Sequence, residues 1–265
     1  MIRMFRIFCA AKGLLFSIGA ASALIFTMAS CAGAGGRDPL PQDAGFRYKM
    51  TIAVETPEGV MTGSAVRQVV IRSGLSPLPE SQASVKVKGE AVVVDLGPRG
   101  VLFGLLSGYF LGADHASDLP GYVYFPKGGW LSADGNRKMK EIEKGNPVEL
   151  PPKWYPKLVY FKDASDPKTV EMLLEVKPCE GQTAAQKDRQ YCIYNNRFEE
   201  AFGAGVRLKS VVIEMTEEPV TKAIDGLLPF LNTVRGGYLD GQFLGGGPKL
   251  SNILHGGDFS KGEKE

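Results

Sequence analysis

Residues 46–73 read FRYKMTIAVETPEGVMTGSAVRQVVIRS, and this stretch decides the fold. Phe46, Tyr48, Met50, Ile52 and Val54 alternate with Arg47, Lys49, Thr51, Ala53 and Glu55. A period of two with one apolar face marks a half-buried strand. Thr56-Pro57-Glu58-Gly59 then supplies a turn, with Pro57 setting φ and Gly59 free to go left-handed. The chain returns through Val60–Ser73. Gly63 and the pair Val69-Val70 break strict alternation there, which predicts a bulge.

Beyond the hairpin, residues 74–83 read as a loop. Val85 and Val87 alternate with Lys86 and Lys88, and Ala91–Leu96 is denser in apolar residues. Gly89 either bulges one long strand or ends a short one. Gly97-Pro98-Arg99-Gly100 is a second turn, before the apolar run Val101–Leu106. Strands joined by tight turns predict an antiparallel meander.

The middle is less regular. Ser132–Lys144 carries both charges with Met139 and Ile142 three apart, which predicts a short surface helix. Residues 147–156 (PVELPPKWYP) read as extended, Leu158–Phe161 and Thr169–Val176 as strands, and Lys162–Lys168 as a turn. Further on, Arg197–Phe202 predicts one helical turn and Val206–Met215 a strand. Pro219 begins a predicted amphipathic helix with Val220, Ala223, Ile224, Leu227 and Leu228 on one face, ended by Pro229. Strands cluster rather than alternate with helices. The expected fold is therefore α+β, mainly antiparallel sheet with a few short helices packed on it, in one domain spanning 46–240. Residues 241–265 hold seven glycines and end in charge, so they read as a tail, mobile beyond about residue 256.

The N-terminus predicts export. Residues 1–12 carry Arg3, Arg6 and Lys12 without an acid, and residues 13–28 are uncharged and apolar. Small residues follow at Ala29 and Ser30 before Cys31, the pattern of a secretory signal over residues 1–30. Met28-Ala29-Ser30-Cys31 resembles the bacterial lipobox, except that Met28 stands where Leu is usual. That resemblance implies lipidation of Cys31, cleavage before it, and an outer-membrane lipoprotein facing the periplasm. A plain signal cleaved after Ala34, releasing a soluble periplasmic chain, and an uncleaved anchor are the alternatives. Residues 31–45 then form a flexible Gly/Pro/Asp-rich tether. Of 31 basic residues three lie in the signal, leaving 28 against 29 acids, so net charge gives no reason to expect nucleic acid as a partner.

Chemistry-bearing motifs are sparse, and no cofactor or metal site is expected. His115 and His255 are far apart, with no paired ligand spacing. Asp114, His115, Ser117 and Asp118 crowd one stretch, which reads as a turn between Gly112 and Pro120 rather than a triad. Asp163, Asp166, Glu199 and Glu200 are weak acid/base candidates of the kind glycosidases pair across the chain. Arg137, Lys138, Lys140 and Lys144, interrupted by Glu141 and Glu143, read as a solvated helix face with a Glu141–Lys144 pair. The aromatic residues of Tyr122–Trp130, with Trp154 and Tyr155, are candidates for either core or a ligand groove. Cys179 and Cys192 flank the polar segment EGQTAAQKDRQY and form an even pair once Cys9 and Cys31 are set aside. In an exported domain they are expected to form a disulfide.

Several stretches together resemble a family of exported or membrane-associated proteobacterial proteins without an assigned activity. They are DPKTVE, AFGAGVRLKSVVIEMTEEPVT, LPFL and GYLDGQF, the hairpin FRYKMTIAVETPEGVMTGSAVRQV, and GEAVVVDLGPRGVLFGLL. The resemblance implies a shared fold over most of residues 46–245 and transfers no catalytic residue. The sequence therefore points to a membrane-anchored envelope lipoprotein, non-enzymatic, serving as a binding or structural module toward an envelope protein or small ligand. The alternative is a periplasmic hydrolase with a carboxylate site that sequence does not reveal.

Overall fold

A computed structural model describes residues 44–73, 83–182, 189–234 and 237–262. The opening hairpin is its spine. Strand β1 (Gly45–Thr56) pairs antiparallel with β2 (Gly59–Ser73) from Gly45↔Val70 to Thr56↔Gly59. Every second β1 residue from Phe46 to Val54 is buried, as the alternation requires. The bulge expected in β2 is absent, since the register runs unbroken. Gly63 has a different cause: a Cβ there would lie 1.8 Å from the carbonyl oxygen of Val93. Glycine lets a strand of another sheet approach.

The meander divides at Gly89. Strand β3 (Ala83–Glu90) pairs with β2, but β4 (Val92–Asp95) pairs with β5 (Val101–Gly108) in a second sheet. Gly89 sits at φ +144°, where a Cβ would press on Arg67. The chain thus ends one strand and crosses to the other sheet. The first sheet also takes β11 (Arg207–Met215), antiparallel to β1, and is edged by β6 (Val148–Glu149) and β12 (Ser260–Lys261). Its order is β12-β3-β2-β1-β11-β6. The second sheet adds β7 (Pro156–Phe161) and β8 (Val170–Met172), in the order β4-β5-β7-β8. The single strand expected over Thr169–Val176 breaks at Leu173, and its second half, β9 (Leu174–Pro178), pairs only with β10 (Tyr191–Asn196).

The fold is mainly antiparallel α+β. One core packs β1 and β2 residues (Tyr48, Met50, Ile52, Val69) with Val92, Leu102 and Leu158 of the second sheet. A Cβ on Gly104 of β5 would meet Ile52 at 2.3 Å, so glycine sets how closely the sheets approach. The opposite face of β5 offers Phe103 and Leu105 to a second cluster with Ile224, Leu228, Leu231, Leu254 and Phe259. The second sheet is thereby covered on both faces, and β5 is almost wholly buried.

That cover comes from the C-terminal segment and corrects two expectations. The amphipathic helix from Pro219 shrinks to a single turn, α4 (Ile224–Leu227), and a separate turn, α5 (Leu231–Val234), follows Pro229, in a chain that numbers three earlier helices. Tertiary bonds hold the preceding residues out of the helix. Thr221 donates its N–H to the Val66 carbonyl and accepts from Val66 N–H through its hydroxyl oxygen. The Glu90 carboxylate accepts from the N–H groups of Ala223 and Ile224. The segment expected to be mobile beyond residue 256 is folded as far as Lys261: Phe259 is fully buried, its carbonyl accepts from Ala91 N–H, and β12 pairs with β3.

The earlier helices are α1 (His115–Tyr124), α2 (Ala133–Glu141) and α3 (Phe198–Phe202). The turn expected between Gly112 and Pro120 is instead the start of α1, with Pro120 inside it. Ser132 caps α2 by accepting from Gly135 N–H. At the hairpin tip, Arg99 donates to both carboxylate oxygens of Glu58 and to the Phe202 carbonyl, and holds Glu58 down at about 2.

Candidate binding site

A polar centre lies between the sheets. Arg67 is fully buried, with Nε donating to the Glu90 carbonyl at 3.1 Å and Nη2 to the carbonyls of Gly104 and Leu105 at 3.2 and 3.3 Å. Its charge is met by main-chain dipoles at the point where β3 passes into β4. Tyr48, also fully buried, donates to the Ala116 carbonyl at 2.7 Å, and burial raises its pKa. His115 is packed against Gly108, where a Cβ would lie 2.2 Å from Nδ1. Neither of its ring nitrogens has a hydrogen-bond partner among the described residues. Burial, aided by Arg67, holds it neutral with a pKa of about 3. Arg67 therefore ties β3 and β5 together, and His115 fills the space that Gly108 leaves open.

The acidic cluster around His115 does not converge on it. Ser117 donates to the Asp114 carbonyl and to the Asp118 carboxylate, closing the first turn of α1 locally. The other candidate carboxylates are likewise in local use. Asp163 accepts from Ser165, and Asp166 from Lys168 N–H. Glu200 pairs with Arg197, and Glu199 accepts from Gly205 N–H. Arg197 also reaches Glu171, which pairs with Lys162. On α2, Arg137 bridges Asp134 and Glu141, and Lys138 pairs with Asp134. The expected Glu141–Lys144 pair gives way to Arg137–Glu141 at i,i+4, while Lys144 donates to the Lys140 and Ile142 carbonyls and faces Glu217.

The aromatic residues divide. Trp130 is buried, edge-on to Phe46 and against Gly121. Tyr122 and Trp154, 32 positions apart in sequence, stack at 5.4 Å with an interplanar angle of 29°. Phe110 stands edge-on to Trp154 at 5.2 Å and to Tyr191 at 5.6 Å. The Lys153 ammonium lies 4.4 Å from the Phe110 ring centre and 4.9 Å from that of Trp154. Tyr122 is 44% exposed and Phe110 37% exposed, so this cluster faces solvent. It gathers residues from α1, the turn at Pro152–Trp154 and β10. Neither Phe110 nor Tyr191 was legible as part of it from sequence, because only the fold brings β10 beside that turn.

Beside it, Tyr109 opens a groove of about 310 Å³ with Met172, Leu174, Val176, Asn195 and Arg197. The Tyr109 hydroxyl donates to the Leu174 carbonyl at 2.8 Å, and burial raises its pKa. The wall of this groove is the β9–β10 hairpin. Cys179 and Cys192 lie across it at disulfide distance, with Cα atoms 5.0 Å apart. The strand β10 that carries Cys192 also carries Tyr191. The bridge thus fixes one side of the aromatic cluster. Cys31 lies outside the described residues. Among those residues no helix is long and apolar enough to cross a membrane. No family model, no curated protein and no solved structure matches the chain.

Proposed function

We propose that this chain is an exported lipoprotein, anchored through Cys31, whose folded domain is a non-enzymatic binding module of the cell envelope. The observation that supports the binding role is the solvent-facing cluster of Phe110, Tyr122, Trp154 and Tyr191 beside a disulfide-braced groove. Tyr and Trp present large, stiff, amphipathic surface and are enriched where proteins meet partners. Rings held by one another keep that surface ordered before a partner arrives, which lowers the ordering cost of binding. The basic, apolar, small-residue N-terminus supports the envelope location.

A photo-crosslinking residue placed at Tyr122 in cells tests the binding role. A discrete adduct from position 122, absent from the same residue at Lys209 and lost on Trp154→Ala, is the expected outcome. No adduct at 122, or equal adducts from both positions, overturns it. The anchor is tested separately. Cys31→Ser should lose the mass of the acyl chains and leave the membrane fraction, and unchanged mass and partition would reject lipidation.

A further inference from the structure

Residues 241–248 read GQFLGGGP and carry no charge. At the tip, Phe243 is 86% and Leu244 85% exposed, far beyond the other large apolar side chains of the described residues. Solvated apolar surface of this kind is unfavourable unless something covers it.

The loop beneath the tip is built, not slack. Tyr238 N–H donates to the Gln242 carbonyl at 3.0 Å and Gly241 N–H to the Tyr238 carbonyl at 2.9 Å, with Gly241 at φ +85°. Gln242 N–H donates to the Asp240 carboxylate, which also accepts from the Asn252 side chain. Past the tip, Gly245 folds back onto Tyr238, where a Cβ would lie 2.2 Å from the ring. Tyr238 in turn packs on His255, ring centres 3.8 Å apart. Leu239, between these anchors, is buried in the second core cluster. The core therefore holds a knuckle that turns two adjacent apolar side chains outward.

We propose that the Phe243–Leu244 knuckle inserts into the interfacial region of a lipid bilayer. Three features favour lipid over a protein partner. A convex tip of two side chains offers about 300–400 Å², under half of the ~800 Å² per partner that a stable protein interface buries. A bilayer needs no complementary pocket, and interfacial segments bury their apolar side chains only about 5–10 Å deep. Residues 241–248 carry no charge, so burying the tip itself desolvates no ion. Burying a Phe and a Leu raises partitioning by about 10²–10⁴-fold. That is too weak to anchor alone and matches the role of a second signal beside a lipid chain. The knuckle goes beyond the aromatic binding surface, and it needs only that the domain meets a bilayer, not that Cys31 is acylated.

The test uses the full chain carrying Phe243→Trp, mixed with vesicles of phosphatidylethanolamine and phosphatidylglycerol with brominated acyl chains. The difference from wild type removes the signals of Trp130 and Trp154. Val60→Trp, at the exposed hairpin turn, is the control. Emission from the indole introduced by Phe243→Trp should shift blue and be quenched, and that introduced by Val60→Trp should be unaffected. The quenching should persist in the Cys31→Ser background at high lipid. In that background Phe243→Ser with Leu244→Ser should weaken vesicle binding on the order of 100-fold. Absence of quenching at position 243, which would leave a protein pocket as the occupant, overturns the proposal. Equal quenching at positions 243 and 60 also overturns it, because the whole surface would then be adsorbing.

Discussion

Two aromatic clusters in this molecule share their geometry and little else. In the inner one, Phe103, Phe161, Phe230 and Phe259 meet at 5.4–6.1 Å, mostly edge to face. In the outer one, Phe110, Tyr122, Trp154 and Tyr191 meet at 5.2–5.6 Å. The inner cluster is all phenylalanine: Phe103 and Phe259 are buried, and Phe161 and Phe230 are half-buried beside them. The outer one adds two hydroxyls, an indole N–H and the Lys153 ammonium; Phe110 and Tyr122 are exposed, and Trp154 and Tyr191 are half-buried against the main core. Ring–ring spacing therefore does not tell core from binding surface. What separates them is whether a further layer of chain covers the rings, and whether the rings carry polar atoms that need water or a partner.

The contrast is most exposed to refutation at Phe259→Ala. Removing a fully buried phenylalanine is expected to cost about 3–5 kcal/mol, seen as a lower chemical-denaturation midpoint for the whole domain. A loss below about 1 kcal/mol would mean that the C-terminal segment is not part of the core. Next comes the bridge beside the outer cluster. Cys179→Ser with Cys192→Ser should cost about 3 kcal/mol in the chain-entropy view of a loop this short. Hydrogen exchange should show that loss in every amide that exchanges through global unfolding, with a further local loss of protection in β9–β10.

The polar centre gives an effect whose size depends on pH. His115 titrates at about 3 when folded, well below its unfolded value, because burial and Arg67 disfavour the imidazolium. The unfolded chain therefore binds a proton that the folded chain refuses. The stability His115 permits is whole above about pH 6.5 and falls as pH drops toward about 3. The slope from this one group is about 1.4 kcal/mol per pH unit. His115→Leu should flatten that part of the stability–pH profile, and an unchanged profile would contradict the buried neutral imidazole. The smallest stability effect is expected in the outer cluster. Trp154→Ala should cost about 1 kcal/mol in thermal unfolding, a fraction of the Phe259 effect. A loss as large as that of Phe259→Ala would make the outer cluster a second core.

The parts legible in the sequence were those with a local cause. The β1 alternation, the Pro57–Gly59 turn, the short helix within Ser132–Lys144 and the β11 strand follow from the order of residues along a few positions. The parts that were not legible depend on partners distant in sequence. Gly63 reads as a bulge until Val93 is beside it. Residues 219–228 carry a helical period, yet Val66 and Glu90 bind the stretch before Ile224 and keep it out of the helix. A glycine-rich end reads as a tail until Phe259 is seen in the core. The outer cluster was half visible: Tyr122 and Trp154 could be named, but Phe110 and Tyr191 could not.

The order of residues alone was enough for the strand-rich α+β class, the opening hairpin and the cysteine pairing. Each of these rests on periodicity, turn chemistry or simple parity, which act over short stretches. The split of the meander into two sheets at Gly89 came only with the folded chain. So did the burial of Arg67 and His115, and the division of the rings into one cluster with fully buried members and one with exposed members. Burial is a property of what lies on the other side of a residue, and for Arg67 the chain supplies those neighbours from 17 to 38 positions away.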